Sequence, residues 1–326
     1  MQALVLVGGR GTRLRPLTYA TPKPALTLVD RPFLTYMTEW LGRHGVEEVI
    51  LACGFLPDEM KAVLGDGEPG GPRLRYLVEE EALGTAGAIR FALEHLDERF
   101  FALNGDVLAD LDLTSLWKQH EATGAKATLG LYKVEDSSSY GLVDVDDDGQ
   151  VLKFSEKDPE RTGAGLINAG TYVLERDAIA AIPAGKNVSI EREFYPSITG
   201  DGLYAKTLEG YWMDFGTPER YAEATWDILE GRIETEVKTN SDGVHVSAEA
   251  EVDPNATVGP RAVIGPGVKV GPGARVNGSV LLEGSEVGEG ASVEGSIIGA
   301  GVRIAAGDTV GDEVLGKNES GEVVNA

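Results

Sequence analysis

The chain has 326 residues, 42% of them hydrophobic, with one cysteine and a formal net charge of −24 at pH 7. That length suggests two domains with enough apolar residues for a sizeable core. The charge sets the chain against nucleic acid and anionic membrane surfaces as partners, because long-range repulsion opposes encounter; an anionic ligand would need a locally basic site or a metal. Cys53 alone excludes an internal disulfide and a multi-cysteine metal site, and reads as a core thiol in a reducing compartment. Met1 leads straight into a short apolar run, and nothing approaches the ~18 apolar residues of a membrane span, so the expectation is a cytoplasmic protein.

In chain order, residues 3–7 read as a strand that ends at glycines, and 32–44 as a helix with Leu34, Met37, Trp40 and Leu41 at helical spacing. A strand over 48–52, a short helix over Pro57–Leu64, a strand over 74–78 and a helix over 84–96 follow, then a strand over 100–103 running into Asn104-Gly105-Asp106. This alternation predicts an α/β fold, a mainly parallel sheet covered by helices. Ligands of such sheets sit beyond the carboxyl ends of the strands, so the loops 8–15, 79–84 and 104–106 are expected to line one crevice. From about residue 127 strands dominate, over 127–132, 141–145, 151–156 and 169–174, with Asp146-Asp147-Asp148-Gly149 as a hairpin turn; 211–214 reads as a strand end and 218–230 as a helix.

Composition shifts near Ile233. Aliphatics then recur every six residues, at Val246, Val252, Val258, Ile264, Val270, Val276 and Leu282, and after one slip at Val287, Val293, Ile298, Ile304 and Val310. Such a period fits a coil with flat faces, glycine and proline turning its corners, and resembles the hexapeptide repeat of left-handed parallel β-helices over about 244–312. The expected organisation is a catalytic domain over 1–232, then a linker, the coils and a polar tail over 233–326, the tail frayed.

The first site motif is Gly8-Gly9-Arg10-Gly11-Thr12-Arg13-Leu14-Arg15-Pro16-Leu17, followed by Thr21-Pro22-Lys23-Pro24. Glycines after a strand let backbone N–H groups close around phosphate oxygens, and Arg13 and Lys23 add fixed positive charge. A plain glycine-rich turn with a solvated basic face is the alternative. A Walker loop is excluded because Gly-Lys-Ser/Thr is missing. Asp106, closing a strand, and Asp214, in Trp212-Met213-Asp214-Phe215-Gly216-Thr217-Pro218, make a pair of carboxylates of the kind that holds Mg²⁺ with phosphate and water. Against this, Asn-Gly-Asp is an ordinary turn, and Asp214 could cap the next helix, although Thr217 fits that cap better. In Phe154-Ser155-Glu156-Lys157 and Ile167-Asn168-Ala169-Gly170-Thr171-Tyr172, Glu156 could accept from sugar hydroxyls and Lys157 could hold a phosphate; an exposed ion pair is the competing reading. His44, His95, His120 and His245 lie in no motif, and no Ser-His-Asp or Cys-His constellation is present.

These motifs resemble the signature of the sugar-1-phosphate nucleotidyltransferases, Gly-Gly-x-Gly-Thr-Arg-Leu-x-Pro-Leu-Thr with a following Pro-Lys-Pro, over about residues 1–230. The nearest branch is the mannose-1-phosphate guanylyltransferases, in which a hexapeptide tail also occurs. The resemblance implies a Rossmann-like nucleotidyltransferase sheet and Mg²⁺-dependent transfer of a nucleotidyl group from a nucleoside triphosphate to a sugar 1-phosphate. By the same resemblance Gly8, Gly9, Gly11, Thr12, Arg13, Glu79, Glu80, Gly84 and Thr85 bind nucleotide. Gly141, Glu156, Lys157, Asn168, Tyr172 and Trp212 bind sugar phosphate, Asp106 and Asp214 bind metal, and Arg13, Lys23, Asp106, Lys157 and Asp214 carry catalysis. Val7 departs from the usual alanine, which bears on packing, and Asp158 separates Lys157 from Pro159.

Glu79 and Glu80 precede Leu83-Gly84-Thr85-Ala86-Gly87. Guanine presents a ring N–H beside an exocyclic amine, a donor pair that a carboxylate accepts, so GTP is favoured over dTTP or UTP. Mannose rests on the resemblance alone. Glucose-1-phosphate thymidylyl or uridylyl transfer is the near alternative. A hexapeptide-repeat acyltransferase and a non-catalytic regulatory subunit are the distant ones; the first is weakened because His245 is the one histidine in the coils. The coils are expected to serve homo-oligomeric assembly.

Overall fold

The computed structural model describes residues 1–155 and 163–326, and it divides the chain into two compact units. One comprises Met1–Gly9 and Met37–Trp212; the other comprises Arg10–Tyr36 and Met213–Ala326.

The first unit is built on a nine-stranded mixed sheet. Strands β1 (Gln2–Leu6), β2 (Glu48–Cys53), β3 (Arg73–Val78) and β4 (Arg99–Asn104) run parallel in the order β3-β2-β1-β4. The segments between them carry helices α1 (Phe33–Arg43), α2 (Pro57–Leu64) and α3 (Gly84–Phe91), the last passing into a 3₁₀ turn at Ala92–His95. β2 is buried at every position, as expected of a central parallel strand covered on both faces. Within it Cys53 is buried, and desolvation pushes its thiol up to about 12, so it is the inert core residue expected.

Beyond β4 the chain forms β5 (Val107–Leu111) and α4 (Leu113–Thr123), the latter capped by Asp112 accepting from the Ser115 N–H. The antiparallel half follows: β6 (Ala127–Val134), β7 (Leu142–Val145), β8 (Val151–Ser155) and β9 (Gly165–Glu175). β9 pairs antiparallel with both β4 and β6, and the expected turn at 146–149 joins β7 to β8. β10 (Leu203–Thr207) adds to β6 in parallel, and β11 (Gly210–Asp214) leads to α5 (Pro218–Leu229). Thr217 caps α5 by accepting from the Arg220 N–H, which leaves Asp214 for other work. The sequence pattern does not announce α4, β5 or β10; α4 buries Leu113, Leu116 and His120, too few apolar positions to show a period.

In the second unit the repeats form a parallel β-helix of three faces. The first face stacks Val244–Val246, Ala262–Ile264, Ser279–Leu281, Ile297–Ile298 and Val314–Lys317. Ile264, Val270, Val276, Leu281, Val287, Val293, Ile298 and Ile304 fill the interior. Two expectations are corrected. Leu281, not Leu282, points inward, and the slip recurs in each later coil, since Gly278 and Gly295 turn in left-handed conformation the corner that Gly259-Pro260-Arg261 turns with an extra residue. Buried serines close these corners: Ser279 Oγ accepts from the Ser296 N–H at 3.1 Å, and Ser296 Oγ from the Glu313 N–H at 3.0 Å. The tail is not frayed. Val314 and Leu315 extend the first face over Ile297 and Ile298, and Val323–Asn325 folds back antiparallel on Val314–Lys317. Among the described residues no helix is long and apolar enough to cross a membrane.

Candidate active site

Three loops crowd the carboxyl end of the parallel strands. Gly8, after β1, lies against Gly54, after β2; a Cβ on Gly54 would stand 3.3 Å from the Gly8 carbonyl oxygen. Gly105, after β4, donates its N–H to the Leu6 carbonyl at 2.9 Å, and a Cβ there would meet that oxygen and Val7 Cγ1 at 2.6 Å. Val7 therefore acts through packing. These contacts place Asp106, half-buried, at the rim where ligands of such sheets bind.

The second unit gathers the remaining basic residues of the loop. Gly11 adopts φ 58°, accepts the Thr18 hydroxyl at 2.7 Å and lies against Lys23 Cβ, where its own Cβ would stand 3.2 Å away. Thr12 and Arg13 stay exposed on a single 3₁₀ turn, Thr12–Leu14, whose Leu14 is wholly buried. Lys23 is buried on a second 3₁₀ turn, with Nζ 5.4 Å from the centroid of the Phe215 ring. Phe215 in turn stacks on Phe33 at 4.5 Å. Beside it, a Cβ on Gly216 would stand 2.8 Å from Arg13 Nη2 and 3.0 Å from Asp214 Oδ1. Arg13, Lys23 and Asp214, far apart in sequence, thus converge on Phe215-Gly216: two cations and a carboxylate at one spot, which suits a phosphate and a divalent ion.

Back in the first unit, Glu79 is half-buried and its carboxylate accepts from the Leu83 N–H at 3.2 Å. Burial raises its pKa, and that hydrogen bond opposes the rise. Glu80 is exposed. The following loop is strapped by a segment the sequence reading passed over. Ala86 N–H donates to the Val188 carbonyl at 2.9 Å, Val188 N–H to the Leu83 carbonyl at 2.9 Å, and Ile190 N–H to Thr85 Oγ1 at 2.8 Å. Gly84, at φ 68°, faces the same strap, where a Cβ would collide with the Val188 carbonyl at 2.7 Å. The Thr85 side chain therefore serves the strap; nucleotide contacts here would come from backbone groups.

Farther along the first unit, β9 bulges between Asn168 and Tyr172, where Gly170 takes φ 70° and lies against Asn104. The bulge aims Asn168: its amide donates to the Tyr172 hydroxyl at 2.8 Å and to Glu191 Oε1 at 2.9 Å, and its oxygen accepts from the Gly170 N–H at 3.0 Å. Tyr172 is fully buried, and its hydroxyl supports Asn168. Glu191, exposed, is a further candidate that the sequence motifs do not include. Its signal was Ser189 ahead of Glu193: Ser189 Oγ accepts from the Arg192 N–H at 3.2 Å and Glu193 accepts from the Ser189 N–H at 2.9 Å, a reciprocal cap that fixes the turn bearing Glu191. Trp212 donates to the Ala169 carbonyl at 2.9 Å and is flanked by Tyr132 and Tyr140, each 5.6 Å away. Gly141 lies against the Ser155 carbonyl, 3.0 Å from where its Cβ would be. Glu156 and Lys157 lie outside the described residues. Among the described residues no group of three or more His, Cys, Asp or Glu forms a metal cluster, so a metal here would rely on fewer protein ligands and on substrate oxygens.

Known proteins resemble both parts of the sequence. Residues 2–231 match the nucleotidyl transferase family and residues 240–321 match the GMPPB C-terminal domain. The mannose-1-phosphate guanylyltransferase of Mycobacterium tuberculosis is 40% identical over 71% of this chain and 65% of its own length. The mannose-1-phosphate guanyltransferase of Saccharomyces cerevisiae is 36% identical over 78% of this chain and 72% of its own. The chain thus spans about two thirds of the length of these relatives. The crystal structure of HddC from Yersinia pseudotuberculosis superimposes with a TM-score of 0.63 at 31% identity, covering 70% of this chain and 99% of that one.

Proposed function

Because the chain belongs to the nucleotidyl transferase family, we propose that it transfers a guanylyl group from GTP to mannose 1-phosphate. A phosphate oxygen of the sugar 1-phosphate attacks the α-phosphorus in line. The new P–O bond forms as the α–β phosphoanhydride bond breaks, and pyrophosphate leaves. The observation that carries this reading is the convergence of Arg13, Lys23 and Asp214 on Phe215-Gly216. The names of the relatives favour guanylyl transfer and mannose.

A sugar phosphate is already largely dianionic at neutral pH, so no strong general base is needed. The chain must bring two anions together and offset charge at phosphorus. Backbone N–H groups of the loop at Gly8, Gly9, Gly11 and Thr12 would cradle the triphosphate, and Arg13 and Lys23 would neutralise it; Lys157 would hold the attacking phosphate. The exposed carboxylate of Glu191, oriented by Asn168, would accept from sugar hydroxyls beside Trp212 and Gly141, with Glu156 as a second acceptor. Mg²⁺, when bound, supplies a Lewis acid that offsets charge on the α-phosphate and the departing pyrophosphate. The donor chemistry fits: Asp106 and Asp214 offer half-buried carboxylate oxygens and would hold it. The chemistry is assigned to residues 1–232, and the coils are assigned to assembly of copies of the chain in the cytoplasm.

The test is pyrophosphate release from five nucleoside triphosphates against a panel of sugar 1-phosphates. GTP with mannose 1-phosphate should give the highest kcat/KM. A preference for dTTP or UTP would overturn the guanylyl assignment. Glu79 already spends part of its carboxylate on the Leu83 N–H, so Glu80 is the better reader of guanine. Glu80→Gln should cost GTP roughly 1–3 kcal/mol in kcat/KM, the penalty of an unmet buried polar group, and cost UTP less.

A further inference from the structure

The first face of the coil stack carries an outward row in register, Val263, Val280 and Ile297, running from His245 at one end to Val314 at the other. Side chains alternate along a strand, and the neighbours of this row, Ile264, Leu281 and Ile298, fill the interior. The row therefore points away from the coil axis, yet Val263, Val280 and Ile297 are at most 4% exposed. Segment Arg10–Tyr36 belongs to the same compact unit, and it packs on this face at the later coils. At the later coils, Leu17 Cδ2 lies 3.5 Å from the Cβ position of Gly299. Pro16 Cγ lies 2.8 Å, and its backbone carbon 3.2 Å, from the Cβ position of Gly316. At the first coil, Asp30 feels the charge of His245. Burial would raise the carboxyl of Asp30, but Arg31, the Tyr36 hydroxyl and, least, His245 hold it below its usual value.

Gly299 and Gly316 are absent from the positions of positive φ, so backbone freedom does not explain them. Close approach does. Pro16, Leu17 and Gly316 are all buried, and the pyrrolidine ring of Pro16 is rigid, so a methyl group at 316 could be admitted only by moving the Pro16 backbone. Pro16 is three residues from Arg13, and the turns between are fixed by the Leu14 and Leu17 N–H groups donating to the Gly11 and Leu14 carbonyls, each at 3.0 Å. A shift at Pro16 is transmitted along that chain of short bonds.

Resting on the function proposed above, we propose that the first face of the coil stack is the seat of the triphosphate-binding loop, with Gly299 and Gly316 as positioning residues for Arg13. The coils then set nucleotide affinity, a role apart from assembly. In the full chain, Gly316→Ala should raise KM for the nucleoside triphosphate by about 10-fold, the scale of an overpacked contact. KM for the sugar 1-phosphate and the melting temperature should stay near wild type. Gly311→Ala, at a coil position where a Cβ meets nothing within 4 Å, should leave that KM unchanged, which a general response of the coils to an added methyl group would not do. Hydrogen exchange at the Leu14 and Leu17 amides, read without substrates, should quicken in Gly316→Ala by a similar factor and keep the wild-type rate in Gly311→Ala. This second readout stands whether or not the substrates are correctly named. Unchanged exchange at those amides, or equal rises in both KM values, would overturn the proposal.

Discussion

Asn168 and Arg13 are both expected to serve a phosphate or its sugar, and the two units aim them by different means. In the sheet unit Asn168 is held by hydrogen bonds on both ends of its amide, to Tyr172, Glu191 and Gly170, and Trp212 is fixed by one to Ala169. In the coil unit close approaches also locate the candidate side chains: Gly11 against Lys23, Gly216 against Arg13 and Asp214, Gly316 against Pro16. A hydrogen-bonded site fails group by group, because each lost partner leaves a specific unmet donor or acceptor. A site built on close approach fails by displacement, because added volume moves everything resting on it. The first kind suits a ligand read by its hydroxyls. The second suits a triphosphate, whose charge must be met at fixed points in space.

The comparison can be broken most severely at the carboxylate that surfaces deliver. Asp214→Asn keeps the shape of the Gly216 contact and removes the charge, so turnover should fall by roughly 10²-fold while folding is retained. Near-normal turnover at limiting Mg²⁺, with an unchanged circular dichroism spectrum, would show that Asp214 is only part of the packing. A smaller effect, confined to one substrate, is expected on the hydrogen-bonded side. Glu191→Gln should raise KM for the sugar 1-phosphate by about 10-fold, as loss of a hydrogen bond to a charged group does, and leave KM for GTP alone. Steady-state kinetics with each substrate varied in turn decides it; a rise in both constants would mean that Glu191 merely holds the strap at 187–190.

The smallest effect tests stability away from the chemistry. His120 is wholly buried, its ring nitrogens 2.8 Å from Thr128 Oγ1 and 3.1 Å from Glu175 Oε1. Desolvation lowers its pKa, against the opposing pull of Glu175. With a folded pKa below the usual 6.5, its contribution is present above that value and is lost as pH falls through the folded pKa. The melting temperature should therefore drop between pH 7.5 and 5.5, and His120→Gln should flatten that part of the curve. An equally steep curve in the variant would assign the drop to other groups.

What was legible in the sequence follows the same division. The parallel strands, the loops after them and the coil faces are written in short-range patterns, apolar runs, glycine punctuation and a six-residue period, and the fold follows from these. The convergence of Arg13, Lys23 and Asp214 depends on Phe215 stacking on Phe33, a contact across the length of the sheet domain's sequence, so the motifs named the residues without showing how they meet. Glu191 stayed hidden because its partner, Asn168, is brought to it by a bulge, and a bulge shifts register without leaving a periodic mark. The burial of Tyr172 was not legible either, because strand alternation does not account for that same bulge. The closing hairpin was missed because two short runs, Val314–Lys317 and Val323–Asn325, are too brief to register as repeats, although Asn318 at their turn accepts from both Ser320 and Glu322.

That hairpin has a consequence for the edge of the coil stack. A stack of parallel coils is an open template: its last coil offers an edge that another chain's first coil could extend, and repetition would give a filament. Here the first face terminates in Val323–Asn325, a strand of opposite direction, which occupies the pairing groups of Leu315, Gly316 and Lys317. Asn325 also reaches back, its side chain accepting from the Val314 N–H and donating to the Glu313 carboxylate. A parallel coil arriving at this face meets a strand of opposite direction where it would pair.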